Sequence, residues 1–417
     1  MIKSIINVGA QAVIKLLLAV VSLKVVAYYA GPSGLVVLGQ LQSFLQIAGA
    51  GASSMTSTGV VKLISENAYK EDKVVRASLF LLVIYCVLVF LFLLLGGGSI
   101  AKYFLEGQHV VLLLILPLAA FFLGVNSLYI SYYNGRQDYR RYFLYSVALS
   151  FLIAFITTLL AIFFLNIGAI SSVIVAPIIS GAILLVVFRG WMRKRARMAL
   201  SEFWGLSRSL LQFSLMAIGS AIVVYGGQIY LRQFISDNES ISAAGIWYSA
   251  TRLSDIYMGI ASVLFSTILL PRYSVLTEKL LLAEVKKLLM LAAVFAVVMV
   301  VSVKVSSGIL VHVIYGEAFF GASEILDIYV LGDALKVLTW VLLYVFIAKQ
   351  KVMFYLIYEV LSSLAYVLLS IVAYKRLGLY FTSLGYVIQA AISLVVLLSW
   401  FLVSFKASFG IREVVHD

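Results

Sequence analysis

Runs of about twenty nearly uninterrupted apolar residues recur along the whole chain, and that is the length an α-helix needs to cross a bilayer. Read as spans, they fall at roughly 5–29, 36–61, 77–96, 109–133, 142–165, 168–188, 210–235, 243–270, 288–312, 325–348, 352–374 and 380–405. Backbone polar groups in hydrocarbon must be satisfied within the segment, so the runs are read as helices. The expected fold is an all-α polytopic membrane protein of twelve transmembrane helices. With 63% hydrophobic and 12% charged residues, the 417-residue chain has more apolar surface than a soluble core absorbs. The first run is too long for a signal peptide, is interrupted by Lys15 and precedes no clear small-residue cleavage site, so it is kept as a span.

Lys15, Lys24, Arg232, Arg252, Lys304 and Lys336 nevertheless lie inside these runs. A cation at the centre of an isolated membrane helix costs roughly 2.5 to 3.5 kcal/mol, so such residues usually face a partner or a water-filled cavity. The expectation is a cationic interior pathway.

Loop charge sets the orientation. Lys3, the cluster Lys62, Lys70, Lys73 and Arg76, then Arg136, Arg140 and Arg141 all fall on the side of the N-terminus. The Arg189–Arg208 cluster, the Arg272–Lys287 cluster, Lys349, Lys351, Lys406 and Arg412 fall there too, whereas the opposite loops hold Lys102, Lys375 and Arg376. The positive-inside rule then makes both termini cytoplasmic. The net charge of +13 mostly reflects this topology, and the basic 189–208 loop reads as a membrane-facing linker; no nucleic-acid partner is expected.

That loop divides the chain into an N-terminal six-helix lobe at 1–190, a basic cytoplasmic linker at 191–208 and a C-terminal six-helix lobe at 209–417. The lobes look alike. Gly34-Leu35-Val36-Val37 falls on Gly245-Ile246-Trp247-Tyr248, Asn134-Gly135-Arg136-Gln137 on Ile347-Ala348-Lys349-Gln350, and Ile100–Gly107 on Ile309–Gly316, at offsets of about 209 to 213 residues. An even number of spans per lobe gives parallel repeats around a central cavity, with a binding site expected between them and alternating access by rocking.

The chain resembles the Wzx-type flippases of O-antigen and enterobacterial common antigen units, within the multidrug/oligosaccharidyl-lipid/polysaccharide exporter superfamily. The resemblance covers essentially the whole chain. It is carried by Lys15–Gly34, Ala244–Tyr257, Leu269–Lys279 and Leu331–Val337 with Ile347-Ala348-Lys349. It implies a carrier, not an enzyme, in a bacterial inner membrane, moving an undecaprenyl-diphosphate-linked oligosaccharide from the cytoplasmic to the periplasmic leaflet for surface polysaccharide assembly. Implied partners are the bilayer, a polysaccharide polymerase and a chain-length regulator.

The residues agree with an anionic lipid-linked substrate. Lys3, Asn7, Gln11 and Lys15 recur every four residues, one polar stripe on a helix that faces a lumen or glues helices together. Lys24 and Lys304, near periplasmic ends, read as substrate contact or as snorkelling side chains. Tyr225, Gln228 and Arg232 share a face beyond Gly226-Gly227, a pair that marks a hinge or a close packing site. Arg252 with Asp255, and Asp333 with Lys336, are three residues apart and can each meet as an ion pair, either self-neutralising or open to a diphosphate or a proton. Glu359 has no local cation and joins Asp255 and Asp333 as a coupling candidate, while Asp327 reads as interfacial. The substrate-binding candidates are Lys15, Lys24, Arg232, Arg252, Lys336, Gln11, Gln42 and Gln46, with Lys and Arg suited to phosphate oxygens and Gln to sugar hydroxyls.

One cysteine, Cys86, and the scattered His109, His312 and His416 give no disulfide framework and no metal-ligand spacing, so neither metal nor cofactor is expected. No phosphate loop of the G-x-x-x-x-G-K-[ST] type occurs. A polymerase or ligase calls for a larger periplasmic loop than any here, and a scaffold role does not explain the intramembrane polar stripes. The main alternative is a cation-coupled multidrug antiporter of the same superfamily, although cationic drugs call for an acidic cavity.

Overall fold

The computed structural model describes residues 2–65, 69–105, 107–187, 200–276, 278–349 and 351–413. Among them the chain forms eleven α-helices: α1 (Ile2–Ser54), α2 (Thr58–Ser65), α3 (Glu71–Phe104), α4 (Val110–Gly135), α5 (Tyr139–Val187), α6 (Leu200–Asn238), α7 (Ile241–Val275), α8 (Glu278–Tyr315), α9 (Ala322–Ala348), α10 (Val352–Leu377) and α11 (Thr382–Glu413). Two are double. α1 breaks at Gly31, whose φ of 63° suits a residue without a side chain, and Pro32 follows. α5 breaks at Leu165, with φ 51°. Counting each half of α1 and α5, and leaving out the two-turn α2, recovers the twelve expected spans. Eight of the helices, the two double ones included, are long and apolar enough to cross a membrane. The protein is a multi-pass membrane protein, and its remaining long helices, α6 and α7, hold Arg232, Arg252 and Asp255.

The second span stops earlier than its apolar run suggests, at Ser54. Hydroxyls take over the backbone there: Ser54 Oγ donates to the Gly51 carbonyl (2.9 Å) and Thr56 Oγ1 to that of Ala52 (3.0 Å), which opens a turn before α2.

The chain forms two compact units, Met1–Asp237 and Asn238–Asp417. This boundary falls at the end of α6; of the basic linker expected at 191–208, residues 191–199 lie outside the described residues and 200–208 open α6. In the first unit α4 packs against α1, α2, α3 and α5; in the second, α9 packs against α7, α8, α10 and α11. The fourth span of each six-span repeat, α4 or α9, thus packs against most of the other helices of its unit. On its α8 side α9 leaves an apolar groove of about 410 Å³ lined by residues such as Ala293, Ala296, Ala334 and Leu335. Its polar residues point elsewhere, toward α7 and α11.

The repeat seen in sequence returns in the turns. Gly107 and Gly316 both take positive φ, 75° and 88°, and close the helices before them. α4 and α9 end alike: the Arg136 N–H donates to the Tyr132 carbonyl (3.2 Å) and the Lys349 N–H to that of Val345 (2.9 Å). The next bonds correspond as well, Asp138 N–H to the Tyr133 carbonyl and Lys351 N–H to the Phe346 carbonyl, each 2.9 Å.

Glycines set the closest helix crossings. A Cβ on Gly168 would lie 1.9 Å from the Leu160 carbonyl oxygen, and one on Gly385 2.2 Å from the Ser370 nitrogen. In both repeats the sixth span opens on a glycine pressed against the backbone of the fifth.

Candidate functional site

Tyr329, Asp333, Lys336 and Trp340 follow one another at spacings of four, three and four, so they form one stripe along α9. α7 and α11 flank it. Ser254 and Tyr257, three apart on α7, both donate to Asp333 Oδ2, at 2.7 and 2.5 Å. From α11 the Tyr386 hydroxyl donates to Oδ1 at 2.9 Å. The Asp333 carboxylate, 1% exposed, is therefore held by three hydroxyls from two other helices. Buried charge in a low-dielectric interior is tolerated when hydrogen bonds satisfy its oxygens in this way.

The expected Asp333–Lys336 ion pair does not form. Three hydroxyls occupy the carboxylate, and the Lys336 ammonium lies 5.6 Å from the Tyr386 ring and 5.8 Å from that of Trp340. Lys336 is exposed, and among the described residues it makes no hydrogen bond or ion pair. An accessible ammonium in mid-span has a charge that an anion can complement.

Around this seam the aromatic packing is tight. Tyr386 stacks on Tyr329 at 4.3 Å and meets Tyr366 edge to face at 5.7 Å. Below it Gln389 Nε2 donates to Ser362 (2.5 Å) and Ser393 (2.8 Å), joining α11 to α10. Glu359, half-buried on α10, accepts from the Tyr355 hydroxyl at 3.3 Å. Arg252 and Asp255 approach to 3.8 Å with side chains 32% and 58% exposed, a long and accessible pair.

In the first unit the corresponding span is neutral. Tyr145 donates to Asn126 at 2.6 Å and stacks on Tyr129 at 3.9 Å. Its cations lie on other helices: Lys15 is half-buried and Lys24 exposed along α1. The side chains of Lys3, Asn7 and Gln11, the rest of the proposed stripe, lie outside the described residues. Gln42 is half-buried and Gln46 exposed, whereas Gln40 is fully buried.

Gln40 is engaged with Arg232. The guanidinium, 1% exposed, donates from Nε to Gln40 Oε1 (3.2 Å) and from Nη2 to the Gly39 carbonyl (3.0 Å) and Ser43 Oγ (2.6 Å). Gln40 Nε2 returns a bond to the Ile229 carbonyl at 3.2 Å. Arg232 thus fastens α6 to the second half of α1 rather than presenting its charge to solvent.

Sequence reading missed Ser254, Tyr257, Trp340, Tyr386 and Gln389. The signal was present as polar residues at helical spacing, Ser254 with Tyr257 and Tyr386 with Gln389 and Ser393, but neutral residues at such spacing are common in packed seams. Among the described residues no group of His, Cys, Asp and Glu is placed to hold a metal ion.

The chain is 24% identical over 348 residues to the Lipid III flippases of Escherichia coli (strain K12) and Shigella flexneri, covering 81% of this chain and 82% of each relative. Its fold is that of an inward-facing multidrug resistance transporter of the MATE family (TM-score 0.75, 18% identity, 95% of this chain and 98% of the other). It is equally that of the Lipid II flippase MurJ in an inward closed conformation (TM-score 0.74, 16% identity, 100% and 93%). The family model described as polysaccharide biosynthesis protein matches residues 38–324, and the chain belongs to that family.

Proposed function

We propose that this protein is a flippase that carries an undecaprenyl-diphosphate-linked oligosaccharide from the cytoplasmic to the periplasmic leaflet of a bacterial inner membrane, with both termini cytoplasmic. It moves its cargo chemically unchanged, for assembly of a surface polysaccharide. The observation that carries the reading is Lys336, an accessible cation in mid-span whose carboxylate neighbour is occupied by hydroxyls. A diphosphate supplies the missing charge and accepts strong charge-assisted hydrogen bonds. Lys15, Lys24 and Arg252 are further phosphate contacts, and Gln11, Gln42 and Gln46 contacts for sugar hydroxyls. Relatives named as flippases of a lipid-linked substrate support the same cargo class.

Of the coupling candidates Asp255, Asp333 and Glu359, Asp333 has the geometry of a coupling site, because three hydroxyls from two helices respond to whatever its carboxylate holds. A polymerase and a chain-length regulator are proposed partners in the same assembly. The multidrug antiporter reading is weaker, since a cationic drug meets Lys336 and Lys15 with like charge.

The test is transport of a short-chain prenyl-diphosphate oligosaccharide in proteoliposomes, with and without a pH gradient, alongside a cationic dye. Movement of the glycolipid is the expected result. Movement of the dye alone would overturn the flippase assignment.

A further inference from the structure

Trp340 has no part in the reading above, yet it shapes what can lie beside Lys336. The two are four residues apart on one face of α9, roughly 5 to 6 Å between side-chain origins. Tyr386, the other ring under the ammonium, is committed: it is 5% exposed, its hydroxyl binds Asp333 and its face stacks on Tyr329. Trp340 is half-buried, and its one other aromatic partner among the described residues is Phe265 on α7, edge to face at 6.2 Å. The Lys336 ammonium lies over its face at the long distance of 5.8 Å.

Resting on the flippase reading, we propose that Trp340 is the contact for the first sugar of the cargo, the pyranose bonded directly to the diphosphate. An anion arriving at Lys336 draws the ammonium off the indole and uncovers its face. The pyranose next to that phosphate presents a flat array of C–H bonds, which packs on an aromatic face, while the indole N–H is a donor for a hydroxyl. One cargo thereby replaces both halves of the resting cation–π contact. Lys336 reads the charge and Trp340 reads the presence of a sugar, so a bare prenyl diphosphate satisfies only half of the pair.

Three short-chain fluorescent cargoes in proteoliposomes of the full chain test this: a sugar-free prenyl diphosphate, the same lipid bearing a single N-acetylglucosamine, and phosphatidylglycerol. Trp340→Leu is expected to slow the glycosylated probe about tenfold and leave the bare diphosphate within about twofold, with Trp340→Phe restoring most of the rate. Lys336→Ala is expected to slow both diphosphates. An equal loss on both diphosphates, or none, in Trp340→Leu would overturn the sugar contact while leaving the flippase reading in place. Wild-type movement of phosphatidylglycerol at the rate of the glycosylated probe would reassign the pair to bulk phospholipid. Wild-type protein that moves neither diphosphate would overturn the flippase reading itself.

Discussion

Gly332 and the ring of Tyr386 occupy space that no other residue pair could share: a Cβ on Gly332 would sit 2.4 Å from the ring. Because that ring carries the hydroxyl bound to Asp333, one missing side chain on α9 positions a hydrogen bond one residue further along it.

Gly332→Ala is therefore expected to displace Tyr386, at about 1–3 kcal/mol for overpacking, and to lower transport. Tyr386→Phe keeps the ring and removes only the hydroxyl, so its stability loss is expected to be smaller, about 1 kcal/mol. Thermal unfolding in detergent, run beside the transport assay, separates the two. Equal stability in Gly332→Ala and wild type would show that Tyr386 is not held by this contact.

Arg232 is expected to matter for stability more than for cargo. Arg232→Ala removes the buried donor to Gln40 Oε1, the Gly39 carbonyl and Ser43 Oγ, at about 1–3 kcal/mol for buried hydrogen bonds lost. Lysine lacks the fork that reaches several acceptors at once, so Arg232→Lys is expected to recover only part of it. A variant of unchanged melting temperature but abolished transport would return Arg232 to the cargo-binding set.

Much of the fold could be read from the chain, because span length and loop charge are fixed by the bilayer and each run reports on itself. The kink at Gly31 falls in the gap between two apolar runs and the kink at Leu165 at the last residue of one, and the repeat visible at Gly107 and Gly316 returns as shared turn geometry. The site was harder. Spacing on one helix allows Asp333 and Lys336 to pair, but Ser254, Tyr257 and Tyr386 come from positions distant in sequence and reach the carboxylate instead. Arg232 likewise looked like a lumenal cation until Gly39, Gln40 and Ser43 were found around it. What a single helix can do was legible; what a neighbouring helix takes away was not.

Lys336→Ala should abolish or sharply reduce flipping with little change in unfolding temperature, since the ammonium makes no hydrogen bond or ion pair among the described residues. Lys336→Arg keeps the charge and is expected to retain part of the activity. Lys304 is also exposed but has no aromatic contact of this kind among the described residues, so Lys304→Ala is expected to leave transport close to wild type. Surface polysaccharide at matched protein levels is the readout, and equal phenotypes for the two alanines would remove Lys336 from the cargo site.

Asp333 and Glu359 give the sharpest contrast between coupling candidates. Asp333→Asn keeps the shape but replaces one carboxylate oxygen with a donor, which opposes hydroxyls already donating to the site from α7 and α11. Those hydroxyls must turn or leave, so the seam between three helices no longer answers to a proton or cation at this carboxylate. Glu359 accepts from the Tyr355 hydroxyl on its own helix, and Glu359→Gln keeps an amide oxygen able to accept that bond. The expected outcome is residual downhill flipping in Asp333→Asn that a pH gradient no longer accelerates, with the acceleration intact in Glu359→Gln. Measured in the same proteoliposomes, the reverse pattern would move the coupling site from α9 to α10.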